Sequence, residues 1–269
     1  MTDPTQSKLA VYDRIGVGYD RTRRADPTLA AAIAKLLRVQ HPDPVLDVGC
    51  GTGNYTLAVA DRNVFVIGLD QSTLMLRRAR AKEPRIDWIA GQAEALPFAD
   101  NSFAGIFCTM TLHHLNDFEA VFAEIARVLR PGGRFVAFTA FPEQAQQFWL
   151  NAYFPELMRR AAARMPGRER IEAAFGPAGL RLVDTEPFNV PENPVDFVLY
   201  CGKHRPELYF DARVRSNIFA FTALDLAEEV GTGLALLDED IANGNFTSVR
   251  SRFSDAAGDY VLLVAEKPA

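Results

Sequence analysis

The residues with the most chemistry in them run Val45-Leu46-Asp47-Val48-Gly49-Cys50-Gly51-Thr52-Gly53-Asn54. An apolar run containing one acid, then three alternate glycines, reads as a buried strand that turns sharply into a helix. Glycine lacks a Cβ, so it adopts positive φ freely and lets a ligand lie against the backbone. In open α/β sheets such ligands gather at the carboxyl ends of strands. Seventeen residues beyond Gly53 a second apolar run closes in Gly68-Leu69-Asp70, placing a carboxylate where it can accept both hydroxyls of an adenosine ribose. The turn and the acid together describe a site for a nucleoside-containing cofactor.

The glycine spacing separates two kinds of cofactor. A nicotinamide dinucleotide fingerprint is G-x-G-x-x-G, whereas Gly49, Gly51 and Gly53 give G-x-G-x-G with Asp47 inside the preceding strand. A nicotinamide-dependent Rossmann oxidoreductase is therefore the rival reading. Two further segments carry polar groups at similar places: Gln71-Ser72-Thr73-Leu74-Met75 directly after the acid, and Gly91-Gln92-Ala93-Glu94-Ala95-Leu96-Pro97-Phe98 after a third apolar run.

The elements that must position these residues are legible in the hydrophobic pattern. Residues 45–48, 64–69, 86–89, 106–108 and 135–139 are short apolar runs suited to strands buried on both faces, and helical text separates them. Phe118, Val121, Phe122, Ile125, Val128 and Leu129 recur at helical spacing before Pro131-Gly132-Gly133, which ends that helix and turns it into the next strand. Residues 28–39 predict an N-terminal helix outside this block. After residue 140, residues 180–190 and 260–265 predict two more strands, expected to complete the sheet as an antiparallel pair. The text between them is mostly helical, including residues 219–237. Residues 1–43, 141–178 and 191–256 are accordingly expected to form a cap over the ligand edge of the 44–140 core, with residues 179–269 completing the sheet around the last insertion.

Composition bounds the function. The chain has 269 residues, 48% hydrophobic and 23% charged, with a formal net charge of −5. That balance suits a globular core and argues against sequence-independent binding to a phosphate backbone, so no nucleic-acid partner is expected. Cys50, Cys108 and Cys201 are too few and too far apart for a disulfide framework or a CxxC metal site, so no metal is expected and a reducing cytoplasm fits. The opening Met-Thr-Asp-Pro-Thr-Gln-Ser-Lys lacks the apolar core of a signal peptide, and no run is long enough to span a membrane.

Read in order, the D-V-G-C-G-T-G turn, Asp70 with Ser72 and Met75, the stretch Ala93-Glu94-Ala95-Leu96-Pro97-Phe98 and the segment Arg127-Val128-Leu129-Arg130-Pro131-Gly132-Gly133 resemble the class I S-adenosylmethionine-dependent methyltransferases. The likeness covers residues 44–140 and is nearest the small-molecule group that includes quinone-biosynthesis C-methyltransferases. It implies a Rossmann-like α/β fold, a doubly wound seven-stranded mixed sheet with helical cap insertions. It also implies S-adenosyl-L-methionine as cofactor, S-adenosyl-L-homocysteine as product and a small-molecule methyl acceptor, in a monomer or homodimer.

Residue by residue, the resemblance implies that Gly49, Gly51 and Gly53 flank the methionine moiety, with Cys50 in the same turn and Asp47 beneath the ammonium group. Asp70, beside Gln71, would hold the ribose. Met75, Gln92, Ala93 and Glu94 would surround the adenine, and Cys108 would end the fourth strand nearby. The family usually has Asp where Gln92 stands; the Gln amide can both accept and donate at the adenine edge. Tyr19 and Arg23, four residues apart in the segment Tyr12 to Arg24, match an entrance motif whose Arg meets the methionine carboxylate. His113 and His114 follow the fourth strand and are the candidates for a catalytic base; packing is the alternative. The segment Cys108-Thr109-Met110-Thr111 lacks the Asn/Asp-Pro-Pro-aromatic run of methyltransferases acting on DNA bases or protein amides. Phe148, Trp149, Tyr153 and Phe154 either line an acceptor pocket or form the core face of a helix. A non-catalytic S-adenosylmethionine-binding module is the remaining alternative.

Overall fold

In the computed structural model, which describes residues 19–222, 224–253 and 257–269, the five apolar runs form β1 (Pro44–Val48), β2 (Phe65–Asp70), β3 (Trp88–Ala90), β4 (Phe103–Thr109) and β5 (Leu129–Thr139). These five are parallel. β6 (Arg181–Phe188) and β7 (Tyr260–Glu266) complete one seven-stranded sheet in the order β3-β2-β1-β4-β5-β7-β6. β7 runs antiparallel to both β5 and β6, so the mixed edge predicted from residues 180–190 and 260–265 is present.

Each central strand buries alternate residues on opposite faces. Val45, Phe107, Val136, Phe138 and Val264 join one core, while Leu46, Ile106, Phe135, Ala137 and Leu263 join the other. Both faces being apolar is why the runs read as continuous in sequence.

The helices are α1 (Tyr19–Thr22), α2 (Pro27–Leu37), α3 (Asn54–Ala60), α4 (Thr73–Lys82), α5 (Phe118–Val128), α6 (Pro142–Gln146), α7 (Pro155–Arg164), α8 (Arg168–Phe175), α9 (Ala212–Arg215), α10 (Ala227–Ala242) and α11 (Phe246–Arg250). α2 begins where Asp26 accepts from the Thr28 and Leu29 amides, a side-chain cap followed by Pro at the first helical position. It was expected over residues 28–39 as part of a cap. Instead Leu29, Ile33, Leu36 and Leu37 lie in the sheet's first core, and a Cβ on Gly105 would come within 3.0 Å of Leu37. α8 likewise belongs to the sheet: Ile171, Ala174 and Phe175 pack with Phe122 and Phe135 in the second core. The helix expected over residues 219–237 starts later, at Ala227, after 3-10 turns at Phe219–Thr222 and Leu224–Leu226.

Phe148, Trp149, Tyr153 and Phe154 are buried among Tyr200, Tyr209, Phe221 and Phe246. They form core rather than pocket wall. That aromatic cluster is continuous with the first face of the sheet, so the segments that follow β5 and β6 share the core of the α/β unit. Among the described residues, no helix is long and apolar enough to cross a membrane.

Candidate functional site

β1 and β4 are neighbours in the sheet, with β1 leading outward to β2 on one side and β4 to β5 on the other. This is the switch point at which open α/β sheets bind ligands. The backbone there is tightly specified. Gly49 and Cys50 both donate to the Leu69 carbonyl (2.8 and 3.0 Å), which fastens the turn to the end of β2. The Gly51 amide then donates to Asp70 Oδ2 at 2.8 Å, and the Ser72 amide to Oδ1 at 2.7 Å.

All three glycines have positive φ, +75°, +55° and +79°, for three different reasons. A Cβ on Gly49 would lie 2.6 Å from the Thr111 methyl, so the loop after β4 leans directly on the turn. A Cβ on Gly53 would lie 2.4 Å from the Trp88 indole. A Cβ on Gly51 would meet nothing within 4 Å; this glycine faces a cavity of about 670 Å³.

Burial pushes the Asp70 carboxyl above its ordinary value, with the two amide bonds pulling the other way. A carboxylate has about four lone-pair sites, so both oxygens retain acceptor capacity towards the cavity that Asp70 lines. Asp47 lies beneath the turn and does not line that cavity. Its Oδ2 accepts from Thr56 Oγ1 at 2.6 Å, while Oδ1 is buried with no hydrogen-bond partner among the described residues. Burial raises its pKa to about 7, offset in part by the Thr56 bond and reinforced by Asp70. An orphaned buried carboxylate oxygen next to a glycine-lined cavity suits a cationic ligand group, and Asp70 beside it suits a diol.

Met75 and the 91–98 segment are held from outside the cavity. Ser72 caps α4 by accepting from the Met75 amide, which seats Met75 in the wall. Arg127 staples the 91–98 segment to α5: its Nη1 donates to the Phe98 carbonyl and Asp100, its Nη2 to the Leu96 carbonyl, and its Nε to Glu124, which in turn accepts from the Leu96 amide. Gln92, Ala93 and Glu94, carried on that segment, line the cavity.

On the other side, the chain after β4 passes through Met110 at φ +51°, an uncommon conformation for a residue with a side chain. A 3-10 turn at Leu112–His114 follows. His113 and His114 both line the cavity, half-buried, with ring centroids 3.8 Å apart. The far wall comes from the segments that follow β5 and β6. Leu157, Ala161 and Met165 come from α7 and its end, and Val198, Leu199, Ile218 and Leu226 from the segment before α10. Glu229 of α10 accepts from the Glu156 and Leu157 amides, capping α7 from another helix. Arg160 pairs with Asp225 and Glu156, and the Arg164 guanidinium sits 4.0 Å from the Phe219 ring centre. The wall therefore mixes apolar side chains with cations that are already engaged.

A family model for the methyltransferase domain matches residues 46–137, and one for protein-L-isoaspartate(D-aspartate) O-methyltransferases matches residues 4–87. The fold superposes on a candidate methyltransferase from an antibiotic biosynthesis pathway of Anabaena variabilis with a TM-score of 0.79 and 31% identity, covering 90% of this chain and 98% of that one. The demethylmenaquinone methyltransferase of Renibacterium salmoninarum is 45% identical over 92 residues, 34% of this chain and 39% of that protein. The Listeria monocytogenes serotype 4b protein of the same name is 30% identical over 218 residues, 68% of this chain and 91% of that protein. This chain belongs to the class I S-adenosylmethionine-dependent methyltransferases.

Of the residues that the methyltransferase sequence singled out, the fold gathers Arg23, Gly49, Cys50, Gly51, Asp70, Gln71, Met75, Gln92, Ala93, Glu94, His113 and His114 around one cavity. Asp47, Gly53 and Cys108 lie behind it. Cys108 is buried within β4, and Gly53 packs on Trp88. Tyr19 opens α1, but its side chain, like residues 12–18 of the entrance motif, lies outside the described residues. The three cysteines are apart and buried, and burial pushes each thiol up, Cys201 to about 12. Sequence reasoning missed Asp20 and Lys82, which bind Thr52 and Asn54 and brace the turn. It also missed Tyr55 and Asp196. The polar pair Asn54-Tyr55 directly after the last glycine was a usable signal; nothing local marks Asp196.

Proposed function

We propose that this chain is an enzyme that binds S-adenosylmethionine between the glycine turn and the cap and transfers its methyl group to a small, largely apolar organic acceptor. The observation that carries this reading is the Gly51–Asp70 arrangement: a glycine opening onto a cavity, its amide fixed to a half-buried carboxylate that faces the same space. In the proposed complex Asp70 accepts the ribose hydroxyls, Asp47 favours the ammonium group from beneath the turn without touching it, and Arg23 meets the carboxylate. Met75, Gln92 and Ala93 enclose the adenine.

The cofactor supplies a methyl group activated by a sulfonium leaving group. What remains for the protein is positioning, worth several kcal/mol when an acceptor atom is held in line at about 3–3.5 Å. Leu157, Ala161, Met165, Val198 and Ile218 supply an apolar chamber that excludes water from that line. A cavity of about 670 Å³ is of the size and lining that small-molecule sites have. Where the acceptor is a hydroxyl or an acidic carbon, His113 or His114 is the group placed to take its proton. The quinone-type acceptor named for the relatives suits such a chamber. Reduced, buried cysteines accord with a cytoplasmic setting.

The test is transfer of a labelled methyl group from S-adenosylmethionine to a panel of small aromatic hydroxyl and quinol acceptors, with wild type and Asp70→Ala. Turnover by wild type, with cofactor affinity reduced at least about tenfold in the variant, is expected from the loss of hydrogen bonds to a charged group. Unchanged cofactor affinity in Asp70→Ala would refute the assignment of the ribose site. Affinity for S-adenosylhomocysteine with no transfer to any acceptor would favour a binding module.

A further inference from the structure

The cap reaches the cofactor end of the cavity as well as the acceptor end, and it does so through one buried carboxylate. Asp196 is 8% exposed. Its Oδ1 accepts from Arg23 Nε at 2.5 Å, and its Oδ2 from the Tyr55 hydroxyl at 3.1 Å. Three separate lengths of chain meet at this side chain: the entrance segment, the helix that opens from the glycine turn, and the cap. The neighbouring backbone repeats the connection. The Phe197 amide donates to the Thr22 carbonyl at 2.8 Å, the Asn54 side chain donates to the Arg23 carbonyl at 2.8 Å, and the Tyr55 hydroxyl accepts from the Asp26 amide at 3.3 Å. Arg23, Asn54, Tyr55 and Asp196 all line the cavity beside Gly49, Cys50 and Gly51.

An Arg guanidinium is a rigid planar fork, so fixing one of its nitrogens fixes the orientation of the rest. Asp196 takes Nε, the nitrogen nearest the stem. We propose that Asp196 is a positioning residue: it sets Arg23 for the carboxylate of the bound amino-acid moiety, and thereby makes seating of the cap and recognition of that moiety a single event. The inference rests on the S-adenosylmethionine reading above and deepens it. The charge arithmetic agrees. Asp47 and Asp70 already place two acids at this end, and a third carboxylate, the buried Asp196, is accommodated because Arg23 neutralises it. By reciprocity, whatever the cap contributes to binding the amino-acid moiety, that moiety returns in holding the cap. A nucleoside lacking the moiety gives no such return.

S-adenosylhomocysteine and 5′-methylthioadenosine, which lacks the amino-acid portion, separate these effects. Calorimetric affinities of both are measured for wild type and Asp196→Asn, together with amide hydrogen exchange of residues 196–199 in wild type. We expect Asp196→Asn to weaken S-adenosylhomocysteine roughly tenfold, the size of one charge-assisted bond, and to leave 5′-methylthioadenosine within about twofold. S-adenosylhomocysteine should slow exchange at 196–199 in wild type, and 5′-methylthioadenosine should not. An unchanged affinity ratio in the variant overturns the proposal. So does equal loss of both ligands, which is what a merely structural Asp196 produces. If Asp196→Asn does not fold, the wild-type exchange comparison decides alone: equal protection by both ligands overturns the linkage. A wild type that binds neither nucleoside removes the cofactor reading itself, and this linkage with it.

Discussion

Gly51 and Gly53 have nearly the same backbone conformation and opposite surroundings, so alanine at each separates ligand recognition from folding. Both sit at positive φ, where a side chain costs about 1–2 kcal/mol. For Gly51→Ala that is the whole penalty to the folded chain, since the new methyl meets no atom within 4 Å. At this chain length each kcal/mol corresponds to roughly 2–4 °C, so a drop of about 2–8 °C is expected. At Gly53 the methyl would also sit 2.4 Å from Trp88 Cη2 and 2.9 Å from Cζ3. Overpacking of that kind adds about 1–3 kcal/mol, because the indole is itself clamped by its bond to the Glu83 carbonyl. Affinity orders the other way. The Gly51 methyl projects into the space assigned to the methionine moiety, and a displacement that costs even one tenfold step is about 1.4 kcal/mol. The assay pairs thermal unfolding with calorimetric titration of S-adenosylhomocysteine. Gly51→Ala should lose affinity at least about tenfold with the smaller fall in melting temperature, and Gly53→Ala should show the larger fall. A Gly51→Ala protein that binds like wild type refutes the placement of the ligand along this turn.

Three other expectations follow from buried or bridging groups. The Asp47 carboxyl is raised to about 7 by burial, so it favours the folded chain fully below its unfolded pKa near 4, and that contribution is lost as pH rises through about 7. Melting temperatures of Asp47→Asn should therefore fall less than those of wild type between pH 5 and 8; parallel profiles would contradict the assignment. Arg127→Met, which frees the 91–98 segment without touching the cavity, should speed amide exchange there and weaken S-adenosylhomocysteine several-fold. Unaltered exchange would show that the segment holds its shape without the staple. Asp259→Ala takes from the buried Lys203 ammonium its carboxylate partner, 2.9 Å away, and removes the acceptor of the Val190 amide. It should cost about 3–5 kcal/mol in denaturant unfolding, more than the double replacement Lys203→Met with Asp259→Leu. Equal costs would mean that the other contacts of the ammonium, the Asn189 side chain among them, suffice to hold it.

The parallel core was legible because its strands are apolar on both faces, so each appears as a run with a turn behind it. Asp70 was legible for a related reason: it is an acid that closes an apolar run, although its bonds to the Gly51 and Ser72 amides were not. What the glycines do individually was not legible. Gly49 and Gly53 are held to glycine by Thr111 and Trp88, contacts made across the fold by residues with no motif of their own. α2 and α8 were assigned to a cap because they lie outside the motif block, but their apolar faces are claimed by the sheet, and periodicity alone does not say which surface a helix covers. Asp196 lies 173 positions from its partner Arg23. Only the folded chain brings an acid of the least patterned segment to the mouth of the best patterned one.

The central claim is that this cavity recognises S-adenosylmethionine through the Gly51–Asp70 corner, and calorimetric titration of the purified chain with S-adenosylhomocysteine and, separately, NAD tests it most directly. One S-adenosylhomocysteine bound per chain, weakened by Asp70→Ala, with no heat from NAD, is the predicted result. Binding of NAD alone would contradict the account and return the chain to the oxidoreductases.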